Sequence, residues 1–338
     1  MKKLKIGIIG VGRLGYEHAC NIANRVPGSE LVAIADANFD RAKQVAEELG
    51  VTAVYNDPKA LCADPNVEAV AIITNTASHV EMIKIAMDAG KHVFCEKPLA
   101  DTVEKCKEAE AIIAAHPELT FMLGFMRRYD HSYQVAKKKM ENGDIGDVIL
   151  VRCYSQDPIS IIEGTLEYAP RSGGQFIDMS IHDFDLIRWL TGSEVKELWA
   201  TGGCYEFKQY KDWDDGDNVS GLMKMENDAM AFFFAGRAAA HGSHVETEIV
   251  DTRGTLRIAS VPTDSLVEVM SQHGVCRECY QDFITRWHDA YITEIEEFCD
   301  CVATGRKATP GVIDGTQSTK IAFRCKESFL TDKKLTLE

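Results

Sequence analysis

The sequence predicts an α/β domain built on a parallel sheet, followed by an α+β domain with a large, mostly antiparallel sheet. Three observations predict it. Short apolar, β-type runs alternate with helical patterns over residues 1–125, at the spacing of strand–helix–strand units. After about residue 147 the texture changes to successive strand candidates with little helix between them. The chain has 338 residues, 45% of them hydrophobic, enough apolar surface for two cores.

Taken in order, LKIGIIG (4–10), LVAIAD (31–36), AVAIIT (69–74), HVFCEKP (92–98) and TFMLGF (120–125) read as buried strands. Between them DRAKQVAEEL (40–49), HVEMIKIAMDAG (79–90) and VEKCKEAEAIIAAH (103–116) carry helical patterns. The alternation predicts a parallel sheet covered on both faces. In the second half VILVRCYSQ, EVKELWATGGCYE, NVSGLMKME, AMAFFFAGR, HVETEIVDTRGTLRI and SLVEVMS are strand candidates, and helices are expected near 174–191, 286–304 and 315–330. The domain boundary falls at 125/126, with the C-terminal helix of the 126–338 domain able to pack back on the first.

Composition narrows the function. The 37 basic and 52 acidic residues give a net charge of -15, which repels phosphate backbones and anionic membrane surfaces, so neither nucleic acid nor membrane is expected as a partner. No run approaches the roughly 18 apolar residues of a membrane span, and the MKKLKIGIIG start passes directly into a strand, so a soluble, cytoplasmic protein is expected. Eleven cysteines without a small-scaffold framework read as reduced thiols. Cys276-x-x-Cys279 and Cys299-x-Cys301 are a poor match to metal-ligand spacing, because i and i+2 on a helix point in different directions, and no metal is expected.

Gly10-Val-Gly12-Arg-Leu-Gly15 follows the first strand and opens a helix near Leu14. In such a turn the first glycine permits the tight bend, the second lets backbone approach a pyrophosphate, and the third lets helix and strand pack closely. Asp36 ends the second strand about 20 residues on, where a carboxylate accepts from ribose hydroxyls and repels a 2′-phosphate. The pair makes the first domain a Rossmann dinucleotide-binding domain that favours NAD over NADP. Arg41, the nearest cation, lies within the following helix, a poor place to meet a 2′-phosphate. Thr74 and Asn75 end the third long strand at the carboxyl edge, where open α/β sheets bind ligands, and Thr76 or Ser78 is expected to cap the next helix.

GGQFIDMSIHDFDLIRWLTG (173–192) raises a different question. Wound as one helix at about 100° per residue, it puts Asp178, His182 and Asp185 on one stripe of an otherwise apolar cylinder. An unpaired buried carboxylate costs several kcal/mol, so the stripe is either satisfied internally or faces a polar cavity.

Glu96-Lys97-Pro98, closing a strand at the carboxyl edge, completes a pattern. With GVGRLG, NTASHVEM, FCEKPLA, GFMRRYD and GGQFIDMSIHDFD in this order, the chain resembles the glucose-fructose oxidoreductase / inositol dehydrogenase / rhizopine catabolism (Gfo/Idh/MocA) family over essentially its whole length, and its inositol 2-dehydrogenase branch most. The resemblance implies that Lys97, Asp178 and His182 meet beside the nicotinamide in an interdomain cleft. Arg13, Leu14, His79, Glu96 and Lys97 join the glycines, Asp36, Thr74 and Asn75 as cofactor-binding residues. Met126, Arg127 and Asp157 join the catalytic three in binding substrate, and Tyr168 is a lid or pocket contact. An imidazole, which titrates near neutral pH, suits removal of a hydroxyl proton, so His182 is the expected base. The Lys97 ammonium would stabilise the developing oxyanion, with Pro98 stiffening the strand's exit, and Asp178 would orient hydroxyls and support the charged imidazole.

The implied reaction is NAD-dependent oxidation of a secondary hydroxyl of a cyclic polyol, myo-inositol to its 2-keto form. Scyllo-inositol, a pyranose sugar or a sugar acid are alternatives within the class, and a non-catalytic NAD-binding regulator is an alternative outside it. Inositol enzymes of the family carry SRDP or HRNP where this chain has SQDP, and Gln156 leaves the ring isomer open. The strand AMAFFFAGR and the family's habit point to a homo-oligomer, a tetramer.

Overall fold

The computed structural model describes residues 2–272 and 274–337. The chain divides into two compact units, one of residues 1–129 with 288–319 and the other of residues 130–287 with 320–338.

In the first unit the elements run Leu4–Ile9 (β1), Arg13–Asn24 (α1), Ser29–Ala35 (β2), Phe39–Leu49 (α2), Ala53–Tyr55 (β3), Pro58–Ala63 (α3), Ala69–Ile72 (β4), His79–Asp88 (α4), His92–Glu96 (β5), Val103–Ala114 (α5) and Phe121–Gly124 (β6). The six strands pair in parallel in the order β3-β2-β1-β4-β5-β6, which reverses between β1 and β4. Loops leaving those two strands therefore diverge at the carboxyl edge and open a crevice there. The apolar runs become strands because both sheet faces are covered: Ile6, Ile8, Ile34, Val70 and Ile72 are buried. Caps mark the helix starts, with Asn38 accepting from the Arg41 N–H, Asp57 from Lys59 and Thr102 from Lys105. Ser78 does not cap α4 as expected; its hydroxyl donates to Thr74 Oγ1 (2.8 Å), and one 3-10 turn over Thr76–Ser78 leads into the helix.

The second half continues with His131–Glu141 (α6), Val148–Pro158 (β7), Ile162–Tyr168 (α7), Gln175–Asp178 (α8), Ile181–Thr191 (α9), Val195–Gly203 (β8), Asn218–Met225 (β9), Met230–Ala239 (β10), His244–Asp251 (β11), Gly254–Ile258 (β12), Val269–Ser271 (β13), Gly274–Cys276 (β14), Phe283–Thr304 (α10), Val312–Thr331 (α11) and Leu335–Thr336 (β15). Seven strands form one sheet in the order β12-β11-β7-β10-β9-β8-β15, antiparallel except for the parallel pair β7/β10, while β13 and β14 form a separate hairpin. The FFF run is split by the period of two. Phe233 faces inward against Phe176 and Phe184, with ring centroids 6.1 and 5.0 Å away, whereas Phe232 and Phe234 sit on the other face against Tyr154.

The expected single helix at 174–191 is two helices. The Ser180 N–H reaches back to the Gln175 carbonyl instead of Phe176, His182 N–H bonds to Met179, and the regular ladder restarts at Phe184→Ser180. One wheel therefore does not describe the Asp178–His182 relation. No helix among the described residues is long and apolar enough to cross a membrane. No disulfide forms among them, and Cys299 and Cys301 are buried on α10.

The part of α10 in the first unit covers its sheet, placing Ile295, Phe298 and Cys301 in one core with Ile6, Ile8 and Phe94. Within it lies a polar cluster. His18 Nε2 is 2.9 Å from Glu96 Oε1, and the donor atoms of His18, Glu96 and Glu294 all lie within 4.8 Å of one another. Among the described residues neither Glu294 oxygen has a hydrogen-bond partner. Burial, then the nearby Glu96 carboxylate, pushes the Glu294 carboxyl well above the usual range, so it is held as the neutral acid.

Two outcomes follow from this packing. Phe233→Ala should lower unfolding stability by about 3–5 kcal/mol, seen as a drop in the urea midpoint; a variant with an unshifted midpoint would remove Phe233 from the core. Because Glu294 binds its proton more tightly folded than unfolded, its contribution is complete below the unfolded carboxyl value and is lost as pH rises toward the folded one. Glu294→Gln removes that slope, so its melting temperature should gain on wild type as pH rises above about 4.3, by about 1.4 kcal/mol of stability per pH unit until the folded value is reached. A gap independent of pH would show that Glu294 is not held protonated.

Candidate active site

The glycine turn after β1 is built as its spacing requires. Gly10 has φ +92°, and a Cβ there would lie 2.4 Å from the Ile73 carbonyl oxygen of the neighbouring strand's exit. A Cβ on Gly15 would lie 2.1 Å from the Gly10 carbonyl oxygen, so α1 starts in contact with the turn it leaves. Gly12 differs: a Cβ would meet nothing within 4 Å, and the residue is exposed, leaving its backbone open to a ligand. Arg13 and Leu14 form the first turn of α1 beside it. Asp36 Oδ2 accepts the Val11 N–H at 2.7 Å and Oδ1 accepts the Asn38 N–H at 2.7 Å, so the carboxylate is fixed against the turn with lone pairs to spare. Arg41 Nε donates to the Val11 carbonyl at 3.2 Å, which ties the nearest cation to the turn's backbone. An open N–H cradle at a helix start beside a fixed carboxylate fits a dinucleotide's pyrophosphate and ribose.

The next two loops on this edge are joined by His79. Its Nδ1 is 2.8 Å from the Pro98 carbonyl and Nε2 is 3.2 Å from that of Thr74, and burial lowers its pKa below the ordinary value against these contacts. The ring is fully enclosed, so it braces the Thr74 and Lys97–Pro98 segments, while Asn75 between them is exposed. Glu96 is also enclosed. Its Oε1 meets His18, its Oε2 accepts the Lys97 N–H at 3.1 Å, and Gly124 on β6 leaves the room its carboxylate occupies. The backbone of Lys97 is thus held from below while its side chain stays partly exposed. Met126 and Arg127, in the turn after β6, are each 4% exposed.

In the second unit Asp157 stands next to last in β7, Asp178 ends α8 and His182 is the second residue of α9. A residue that the sequence reading passed over joins the first two. Arg237, near the end of β10, donates from Nη1 to Asp157 Oδ2 at 2.7 Å and from Nη2 to Asp178 Oδ2 at 2.5 Å. Burial works against the guanidinium's charge, but Asp178 and Asp157 outweigh it and hold the group protonated above its ordinary value. The guanidinium is buried, while the two carboxylates keep 20% and 21% of their side-chain surface. Tyr168 is 45% exposed, on the α7 side of Asp178. The signal that could have found Arg237 is parity, since it shares the inward face of its strand with Phe233 and Ala235.

Comparison with known proteins agrees with this construction. Residues 4–125 match the oxidoreductase family, NAD-binding Rossmann fold, and residues 133–257 match the GFO/IDH/MocA C-terminal domain. The scyllo-inositol 2-dehydrogenase (NAD(+)) of Bacillus subtilis is 33% identical over 97% of this chain and 94% of its own. Among solved structures, scyllo-inositol dehydrogenase from Lactobacillus casei with bound NAD(H) and scyllo-inositol is 39% identical at a TM-score of 0.96, covering 99% of each chain. Myo-inositol 2-dehydrogenase from Lactobacillus plantarum is 37% identical at a TM-score of 0.96, covering 100% of each. With both halves matched and relatives aligned end to end, the chain belongs to the GFO/IDH/MocA oxidoreductase family.

Proposed function

We propose that the protein is an NAD-dependent dehydrogenase that oxidises one secondary hydroxyl of an inositol ring to the ketone. The observation that carries the reading is the likeness to inositol dehydrogenases along the whole chain, in both the dinucleotide turn and the acid-bearing second unit. Gly10, Gly12, Arg13, Leu14 and Gly15 would hold the pyrophosphate, and Asp36 the adenine ribose, with Thr74, Asn75 and the His79-braced loops beside the nicotinamide half. NAD, when bound, supplies the hydride acceptor. His182 takes the hydroxyl proton as general base. The Lys97 ammonium, its backbone fixed by Glu96, stabilises the oxygen as negative charge grows on it. Asp157 and Asp178 accept hydrogen bonds from ring hydroxyls, and Met126 and Arg127 complete the substrate contacts.

Myo-inositol is the first substrate reading and scyllo-inositol the second. The two isomers differ only in configuration at the carbon that loses hydride, so both give the same 2-ketone. Gln156 leaves the isomer open, and enzymes named for scyllo-inositol stand among the similar proteins beside those named for myo-inositol. The protein works in the cytoplasm as a homo-oligomer, a tetramer. Its contact surface is the outer sheet face, where Tyr154, Phe232 and Phe234 adjoin the exposed Leu222 and Met230.

NADH formation across a panel of inositols, pyranoses and sugar acids tests this, with the two inositols expected to be turned over fastest. Tight NAD binding without reduction by any polyol would replace the dehydrogenase with the regulator. Lys97→Ala should cut kcat by about a thousandfold with NAD affinity nearly unchanged, whereas Asp36→Ala should weaken NAD about tenfold and narrow the preference over NADP. Equal losses of NAD affinity in both variants would contradict this division of labour.

A further inference from the structure

Arg237 is a charged residue on the inward face of an apolar strand. Parallel pairing of β10 with β7 sets Gly236 opposite Gln156 and Ala239 opposite Pro158, with the register shifting between them. Arg237 follows Gly236 as Asp157 follows Gln156, and its guanidinium meets Asp157 of β7 and Asp178 at the end of α8. The fork-shaped group therefore meets one carboxylate with each terminal nitrogen, an arrangement a lysine ammonium on a flexible stem does not reproduce. It is itself 5% exposed, and what reaches solvent is the pair of carboxylates.

We propose that Arg237 is a positioning residue of the substrate site, bridging Asp157 and Asp178 so that both stay charged, fixed acceptors for the hydroxyls of an uncharged polyol. The proposal rests on the polyol reading given above. Without the bridge, two carboxylates would share one partly enclosed pocket. Such pairs take up a proton at raised pH, and a protonated acid loses acceptor capacity. The surrounding groups do not replace the guanidinium. Tyr168 on α7 and Tyr210 of the 208–213 turn are phenols pushed up by burial, Tyr210 to about 12. Asp215 is a further acid, raised by burial and accepting the Gln175 N–H at 2.8 Å. Arg171, beyond Tyr168, is exposed. His182 lies four residues past Asp178, in the first turn of the next helix.

The test compares Arg237→Met and Arg237→Lys with wild type. In Arg237→Met, kcat/KM for the preferred inositol should fall about a hundredfold, mostly through KM, and the acid limb of its pH profile should move up by about one unit, since a neighbouring cation no longer opposes proton uptake. Arg237→Lys, which keeps the charge but not the fork, should restore the limb and recover only part of the KM loss. NAD affinity should stay within about twofold in both, because the dinucleotide turn lies in the other unit. A folded Arg237→Met with an unmoved limb and unchanged KM overturns the proposal. If that variant does not fold, Arg237→Lys decides alone, and wild-type KM in it overturns the bridge. Should wild type oxidise no inositol, the polyol reading fails separately. Carbon-13 titration of aspartate carboxyls, assigned with Asp157→Asn and Asp178→Asn, still reads the bridge without substrate. One carboxyl is expected to titrate higher in Arg237→Met than in wild type, with Arg237→Lys close to wild type, and a titration in Arg237→Met identical to wild type overturns the proposal.

Discussion

The first unit depends on a close approach. Helix α1 begins so near the strand it leaves that a methyl group on Gly15 would overlap the Gly10 carbonyl, and one on Gly10 would overlap that of Ile73. Backbones this close fix where the helix N-terminus points. The direction is toward the crevice between the exits of β1 and β4, where the sheet order reverses. The open Gly12 and the Asp36 carboxylate braced on Val11 follow from that placement, since each has its position only relative to the turn. A substitution elsewhere in the sheet lowers stability; one at Gly15 would also aim the N–H cradle wrongly.

A second constraint is charge compensation in places water cannot reach. Glu96 is enclosed, and its oxygens are occupied by His18 and the Lys97 N–H, so the residue next to the proposed catalytic lysine is held by a fully engaged carboxylate. Glu294 beside it has no such partners and resolves the conflict by holding a proton. In the other unit one guanidinium offsets two carboxylates. These solutions differ because the demands differ. Glu96 is enclosed and holds backbone in place, whereas Asp157 and Asp178 are each anchored on Arg237 and keep part of their surface exposed.

Most of the fold was legible because its strongest signals are local. The five apolar runs of the first half and the glycine turn appear where the sequence predicts them, and the texture change near residue 147 coincides with the start of β7 at Val148. What escaped was short or depended on tertiary contacts. Strand β3 has three residues and α3 six, too few to show a period. Ser78 was expected to cap α4, but its hydroxyl found a nearer acceptor in Thr74. The helix break after Asp178 is carried by one backbone bond reaching a residue too far, from Ser180 to Gln175, and no residue type announces it. Of the candidate site, Arg237 is the residue the sequence reading did not single out, because it stands at the end of an otherwise apolar strand. Parity would have placed it inward, and an inward arginine requires a carboxylate within reach.

That omission bears on the stripe of acids and imidazole around residue 180. On one continuous helix Asp178 and His182 would be stacked a turn apart, and the natural reading would pair them directly. The break separates the tasks. With α8 ending at Asp178, its carboxylate is held by Arg237 of β10 at 2.5 Å, while His182 lies in the first turn of α9. An acid already bound to a buried cation is a weaker hydrogen-bond acceptor than an unbound one, so in the proposed site the bridge would set how strongly Asp178 accepts from any neighbouring donor.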